Sequence, residues 1–408
     1  MRHGFLIIVF VIVILTTFTA GQSGSDATLA FVGGRIYASP TTSPIDNGVV
    51  IVRAGTIVEV GQRQSVNIPV GAAIVDFSGK VITAGFANSY VHFTEDQWVG
   101  AANQPVSKHN QQLHAMLVRY GFTTVVDTAS ILSNTVALRQ RIDSREVAGP
   151  RILTAGLAAY PPGGIPYYVK EAVPAELLKL LPQPSTAEQA MDFVRQNVDG
   201  GADIIKLFTG SWVTRQSILP MPTEVAIAAV AEAHRRGKLV FTHPSNVAGL
   251  EVALQAKVDV LAHAIEDTRG LTADHLRRMK AQKMALIPTL HLFRGNNIQE
   301  ILREVRDYQR SGADVLFGTD VGFLPDYDPT DEFIQMTRAG LTWREILASL
   351  TTTPAARFGE ASKRGRVASG LDADLVVLAH DPAADVGAFA EVVDVVRGGK
   401  SIFRQGQK

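Results

Sequence analysis

Five apolar runs in this chain close on a side chain able to ligate a metal ion or carry a proton. The stretch from Val81 to Val91 ends on His92, Asp203-Ile204-Ile205 on Lys206, and Leu239-Val240-Phe241-Thr242 on His243. Leu261-Ala262 ends on His263, and Val315-Leu316-Phe317-Gly318-Thr319 on Asp320. Imidazole and carboxylate groups exchange protons near neutral pH and bind divalent ions. Each ending also has an ordinary explanation, since a histidine beyond an apolar strand is more often a cap or a packed side chain than a ligand. Lys206 is harder to explain that way, because a charged lysine placed after two isoleucines is costly to bury unpaired. Alternate residues of a strand share a face, so Tyr90 and His92 point the same way.

The elements that must position these residues follow from the apolar pattern. Short strands alternate with helical stretches, the pattern of repeated βα units. Eight strands are predicted, at 81–92, 123–128, 151–155, 203–207, 239–243, 258–263, 285–289 and 314–320, with helices such as 224–236 and 272–283 between them. Eight such units close into an α/β fold of the (β/α)8 TIM-barrel type, whose chemistry sits at the C-terminal strand ends. Both chain ends have a different texture, with β-branched runs punctuated by glycine at 29–61 and 370–403. They are expected to pair into one small β-sandwich. The predicted organisation is a signal peptide at 1–21, sandwich segments at 28–80 and 356–408, and a barrel at 81–355. A Pro/Gly/Tyr-rich loop from Tyr160 to Tyr168, with Trp98 and Trp212 in other loops, could wall an apolar pocket. His291 beyond the seventh strand either faces the substrate or sits in a loop, and His109 and His114 fall in a helix as surface or packing residues.

The order His, Lys, His, His, Asp on strands one, four, five, six and eight resembles the amidohydrolase superfamily, in particular its imidazolonepropionase and Xaa-Pro dipeptidase-like branch. Gly-Ala-Asp-Ile-Ile-Lys ending at Lys206, His263, and Gly318-Thr319-Asp320 all fall in family order, and the similarity covers essentially the whole chain after residue 21. The resemblance implies a metal site held by His92, Lys206, His243, His263 and Asp320. Lys206 would be carbamylated, and Asp320 would be the general base for a metal-activated water. The cofactor would be a divalent metal, zinc in the first place, at one or two ions per chain. One position departs from the family, whose first strand ends in His-x-His where this chain has Tyr90-x-His92. A phenol, with a reference pKa of about 10, is a poor zinc ligand beside imidazole. A mononuclear site is the leading expectation, with Tyr90 donating to the substrate as the alternative. Tyr90, His291, Tyr168 and Trp98 are the candidate substrate-binding residues.

The remaining signals bound the function. The 408 residues carry 39 basic and 39 acidic side chains, so bulk charge gives no footing for nucleic acid. A small amide-type molecule is the expected partner, and a homo-oligomer is left open. Arg2 and His3 precede an apolar run from Phe5 to Leu15 and a small-residue stretch ending near Gly21, the order of a secretory signal. The expected location is therefore periplasmic or secreted, with an uncleaved membrane anchor as the alternative. There is no cysteine, so stability cannot come from disulfides. The resulting expectation is an exported hydrolase of amide, cyclic amide, carbamate or urea C–N bonds. A deaminase on the same scaffold and a non-catalytic binding protein are the alternatives.

Overall fold

The computed structural model describes residues 28–295 and 298–406. The predicted signal segment lies outside the described residues. Among those described, no helix is long and apolar enough to cross a membrane.

Both chain ends form β-structure, as their glycine-punctuated β-branched runs predict. One sheet orders its strands Thr56–Gln62, Gly48–Arg53, Leu29–Val32 and Ala73–Asp76. The other combines Lys400–Arg404, Val392–Arg397, Leu375–Leu378, Val81–Ala84 and Arg35–Ile36. The two sheets meet through a common apolar cluster that includes Phe31, Val50, Ile57, Ile82, Leu375 and Val377.

The strand expected at 81–92 is in fact two strands with different partners. Val81–Ala84 runs antiparallel to Leu375–Leu378 in the terminal sheet, whereas Phe86–Val91 runs parallel to Phe122–Asp127. Gly85 is the joint. A Cβ there would lie 2.3 Å from Thr123 Oγ1, so the chain can cross between sheets at this point only without a side chain. A continuous apolar run carries no local sign of such a change of partner.

In the centre, Phe86–Val91, Phe122–Asp127 and Arg151–Thr154 form one parallel sheet. Ile204–Phe208, Leu239–His243, Val260–Ala262 and Ala285–Ile287 form another. Backbone hydrogen bonds connect the two at both margins. On one side Asp203 N donates to Thr154 O at 2.7 Å, and Phe208 N to Ala159 O at 2.9 Å. On the other, the segment from Asp314 to Val321 lies between Ala285–Ile287 and Phe86–Val91. Leu316 N donates to Leu286 O at 2.9 Å and Ser89 N to Phe317 O at 2.7 Å. The eighth predicted strand is therefore present as a segment held by isolated bridges and not as a regular strand. Its backbone turns into the left-handed region at Asp320, with φ of 60°, which ends a ladder.

An inner apolar cluster takes residues from each of the eight segments: Tyr90, Val126, Ala155, Ile204, Phe241, Val260, Ala262, Ala285, Ile287 and Leu316. The larger cluster packs the outer faces of the strands against helices. Helices Thr223–Arg235 and Ala273–Ala281 match two predicted ones to within a turn. A hairpin of Gly210–Thr214 and Ser217–Pro220 follows the Lys206 strand, where only a loop was expected.

Candidate active site

The predicted site residues converge toward one end of the parallel sheets, although Lys206 lies inside its strand, Ile204–Phe208, and does not close it. Tyr90 belongs to the inner cluster, and His92, two residues on, faces the same space, the two rings lying edge to face with centroids 5.2 Å apart. Lys206 is fully buried, and its amine donates to the Tyr90 hydroxyl at 2.6 Å. Burial pushes the Lys206 pKa from 10.5 down to about 7, against the opposing pull of the Asp320 charge. Burial, and after it the Asp320 charge, lifts Tyr90 well above the ordinary phenol range. It is therefore a neutral hydroxyl and not an anionic ligand.

Three imidazoles each spend one nitrogen on a fixed acceptor, which assigns their tautomers. His92 Nδ1 lies 3.0 Å from the Ala129 carbonyl. A carbonyl only accepts, so Nδ1 carries a proton, and in the neutral ring Nε2 keeps its lone pair. The Thr289 hydroxyl donates to Pro288 O at 2.8 Å and accordingly accepts from His263 Nδ1 at 2.5 Å, which leaves Nε2 of His263 unprotonated. Burial, followed by the nearby His243, Lys206 and His92, holds His263 well below the usual imidazole range. His243 places Nε2 2.8 Å from Glu266 Oε1, so that in the neutral ring Nδ1 has the lone pair. Its ring stacks on Phe208 at 4.8 Å and lies 4.6 Å from His263.

Asp320 shows what this arrangement can accommodate. Its buried Oδ1 has no hydrogen-bond partner, yet it sits 3.0 Å from His92 Nε2, a contact that is close but not aligned as a hydrogen bond. When the His92 ring is neutral with its proton on Nδ1, two lone pairs face one another there, a contact that a shared cation would make favourable. The residues present therefore fit a divalent ion, with His92 and Asp320 on one side and His263 Nε2 and His243 Nδ1 on the other. As the side chains stand, no three His, Cys, Asp or Glu among the described residues form a metal-holding group. The histidines and Asp320 come as two pairs around the Tyr90 and Lys206 contact.

The ends of the last three segments are strained. His263, Thr289 and Asp320 have φ of 85°, 46° and 60°, a region that side-chain-bearing residues avoid at a cost of about 1–3 kcal/mol each. Such strain clusters at functional sites and persists only where the surroundings enforce it.

The other predicted residues are more scattered. Tyr168 is half-buried, its ring 5.6 Å from Phe323. Burial and then the Glu266 charge push its pKa well up. His291 is turned to the acidic side chains of Asp331, 3.2 Å from Nδ1, and Asp326, 3.6 Å from Nε2. Trp98 is buried against Phe93 and stacked over His109, while its indole N–H donates to Glu95 at 3.2 Å. Its contacts are those of a packed core residue.

Two residues escaped sequence reasoning, Glu266 and Thr289. Each orients a histidine. Glu266 also accepts the indole N–H of Trp212. The only local hint was an acid three residues after a strand-end histidine.

Comparison with known proteins defines the class. Residues 81–402 match the amidohydrolase family, and the chain belongs to that family. Aspergillus niger ochratoxinase is 25% identical over 245 residues, which is 52% of this chain and 49% of the relative. The chain thus spans about half the length of the curated relatives it matches. Among solved structures, a Bifidobacterium longum protein assigned as a prolidase superposes with a TM-score of 0.78 at 25% identity, covering 94% of this chain and 96% of that one. A Xaa-Pro dipeptidase with methionine bound in its active site gives a TM-score of 0.76 at 20% identity over 93% and 100% of the two chains. The latter likeness speaks to the fold alone.

Proposed function

We propose that this protein is a metal-dependent hydrolase of C–N bonds in small amide-type molecules, with N-acyl amino acids and dipeptides as the first substrates to test. The observation that carries the reading is the convergence of His92, Lys206, His243, His263 and Asp320 around a buried core, with each histidine's tautomer set by an outer partner. The names of two similar proteins, a prolidase and an ochratoxinase, support the substrate class. The ring of backbone hydrogen bonds supports a closed (β/α)8 barrel over 81–355, and the paired terminal sheets support a β-sandwich from 28–80 and 356–408.

A divalent ion, zinc by ligand type, would be held by His92, Asp320, His243 and His263, supplying Lewis acidity and acidifying a water toward neutral pH. Asp320 takes the proton of the attacking water on its unpartnered Oδ1 and returns it to the leaving nitrogen. His263 stays neutral through the cycle. Lys206, with its pKa near 7, has enough free amine at neutral pH to add to carbon dioxide. The new N–C bond forms as the neutral amine adds to the carbon of carbon dioxide and loses one proton to solvent, and the product is the carbamate anion that a second cation would need. Tyr90 remains a phenol and supplies no charge, which favours one ion over two. The order of Arg2 and His3, the apolar run Phe5–Leu15 and small residues to Gly21 supports export.

Elemental analysis of the purified protein, read beside turnover of N-acyl amino acids, dipeptides and aryl amides, tests the reading. Bound zinc and chelator-sensitive hydrolysis are expected; protein with neither metal nor turnover would overturn it. Asp320→Asn should keep the fold and lower kcat by roughly a hundredfold to ten-thousandfold. A near-parental rate would remove Asp320 as the base.

A further inference from the structure

We infer that Glu266 is a positioning residue that ties the hairpin following the Lys206 strand to His243, so that the ring's aim and the hairpin's placement are set by one carboxylate. Glu266 Oε1 lies 2.8 Å from His243 Nε2, and Oε2 accepts the indole N–H of Trp212 in the Gly210–Thr214 strand of the hairpin. An indole nitrogen only donates, and His243 Nε2 donates as well, so both carboxylate oxygens are required as acceptors.

The backbone that carries Glu266 is fixed on either side. Ile265 N donates to buried Glu304 at 3.0 Å, and Asp267 N donates to Ser245 O at 2.9 Å. The hairpin's root is also closely held, since the Ser245 hydroxyl donates to Gly210 O at 3.1 Å and a Cβ at Gly210 would fall 2.0 Å from Pro244 O. Phe208 covers one face of the His243 ring. What remains adjustable is the ring's rotation and the position of Trp212, and Glu266 holds both.

The inference rests on the proposed metal-dependent reading, and zinc binding measured without substrate tests the two separately. Glu266→Gln keeps one acceptor oxygen and turns an N–H toward a donor, so it must release either Trp212 or His243. Trp212→Phe keeps a ring and removes only the N–H. In zinc titrations against a competing chelator, Glu266→Gln should weaken affinity by roughly 10–100-fold and Trp212→Phe by a smaller factor. The double variant should be no weaker than Glu266→Gln alone, because both changes act through the same carboxylate. Zinc should also change the tryptophan emission of the parent, and that change should vanish in both single variants although Trp98 and Trp343 remain. Parental zinc affinity in Glu266→Gln, or losses that add in the double variant, would overturn the inference while leaving the hydrolase reading standing. Should Glu266→Gln fail to fold, a parental affinity and zinc-dependent emission change in Trp212→Phe would overturn it equally. A parent that binds no zinc would sink the proposed function and this inference together.

Discussion

The contact between Lys206 and Tyr90 is the chemistry that most distinguishes this site. An amine buried completely against a neutral phenol has nothing to balance its charge at hydrogen-bond range, and its pKa falls to about 7. The sign of the effect on stability follows. Between about 7 and 10.5 the unfolded chain binds the Lys206 proton more tightly than the folded one, so this group's contribution to stability rises with pH through that window and is most unfavourable below it. In metal-free protein, Lys206→Met should therefore be more stable than the parent by a few kcal/mol near pH 6, with the margin closing as pH approaches 10. Urea unfolding of both proteins across that range measures it; a margin independent of pH would show that Lys206 is not titrating as a buried amine. Tyr90→His makes the complementary test. It restores two imidazoles at period two, and zinc stoichiometry should rise from about one toward two ions per chain. An unchanged stoichiometry would mean that residue 90 does not face a ligand position.

At the scale of elements, the site depends on how closely the last segment approaches the first parallel strand. Gly318 makes that approach. A Cβ there would lie 2.4 Å from Ile287 Cγ2 and 2.8 Å from Tyr90 Cβ. Asp320 N and Tyr90 O then close the contact at 3.0 Å. Gly318→Ala should cost about 1–3 kcal/mol through overpacking and should shift Tyr90 and Asp320 together. Stability and zinc affinity measured on the same preparation are expected to fall in parallel. Loss of stability with full zinc affinity would show that the ligands are held independently of this packing.

For the whole molecule, the terminal sheets are joined to the parallel strands by covalent continuity at Gly85 and by a buried ion-pair cluster. Asp374, 3% exposed, pairs with Arg151 of a parallel strand and accepts the Gly398 N–H at 2.8 Å, while its backbone carbonyl accepts from Gly85 N at 2.8 Å. Arg151 also reaches Asp372 at 3.3 Å. Removing the carboxylate leaves the partly buried guanidinium with only its longer contact to Asp372 and the Gly398 N–H without its acceptor, at a cost of about 1–3 kcal/mol. Asp374→Ala should lose that much in denaturant unfolding while keeping a single transition, because the two parts share the strand-to-strand crossing at residue 85. Two separated transitions would show that terminal sheets and central strands unfold on their own.

Much of this was legible in the sequence. The α/β class and the alternation of strands and helices follow from the apolar pattern, since burial imposes it locally, and His92, Lys206, His243, His263 and Asp320, singled out as polar side chains in or just beyond apolar runs, lie near one another in the structure. What the tertiary structure decided depends on partners distant in the chain. The division of the first run at Gly85 is set by Thr123 and by Leu375–Leu378, which leave no mark on residues 81–92. The last segment reads as a strand but makes only isolated bridges, because its neighbours are Leu286 and Ser89 and its backbone turns over at Asp320. Trp98 resembles a pocket residue by type and is packed on His109. The tautomers of His92, His243 and His263 are chosen by Ala129, Glu266 and Thr289. Sequence spacing reports which side chains a strand end must carry, whereas the orientation of each depends on an acceptor supplied from elsewhere in the fold.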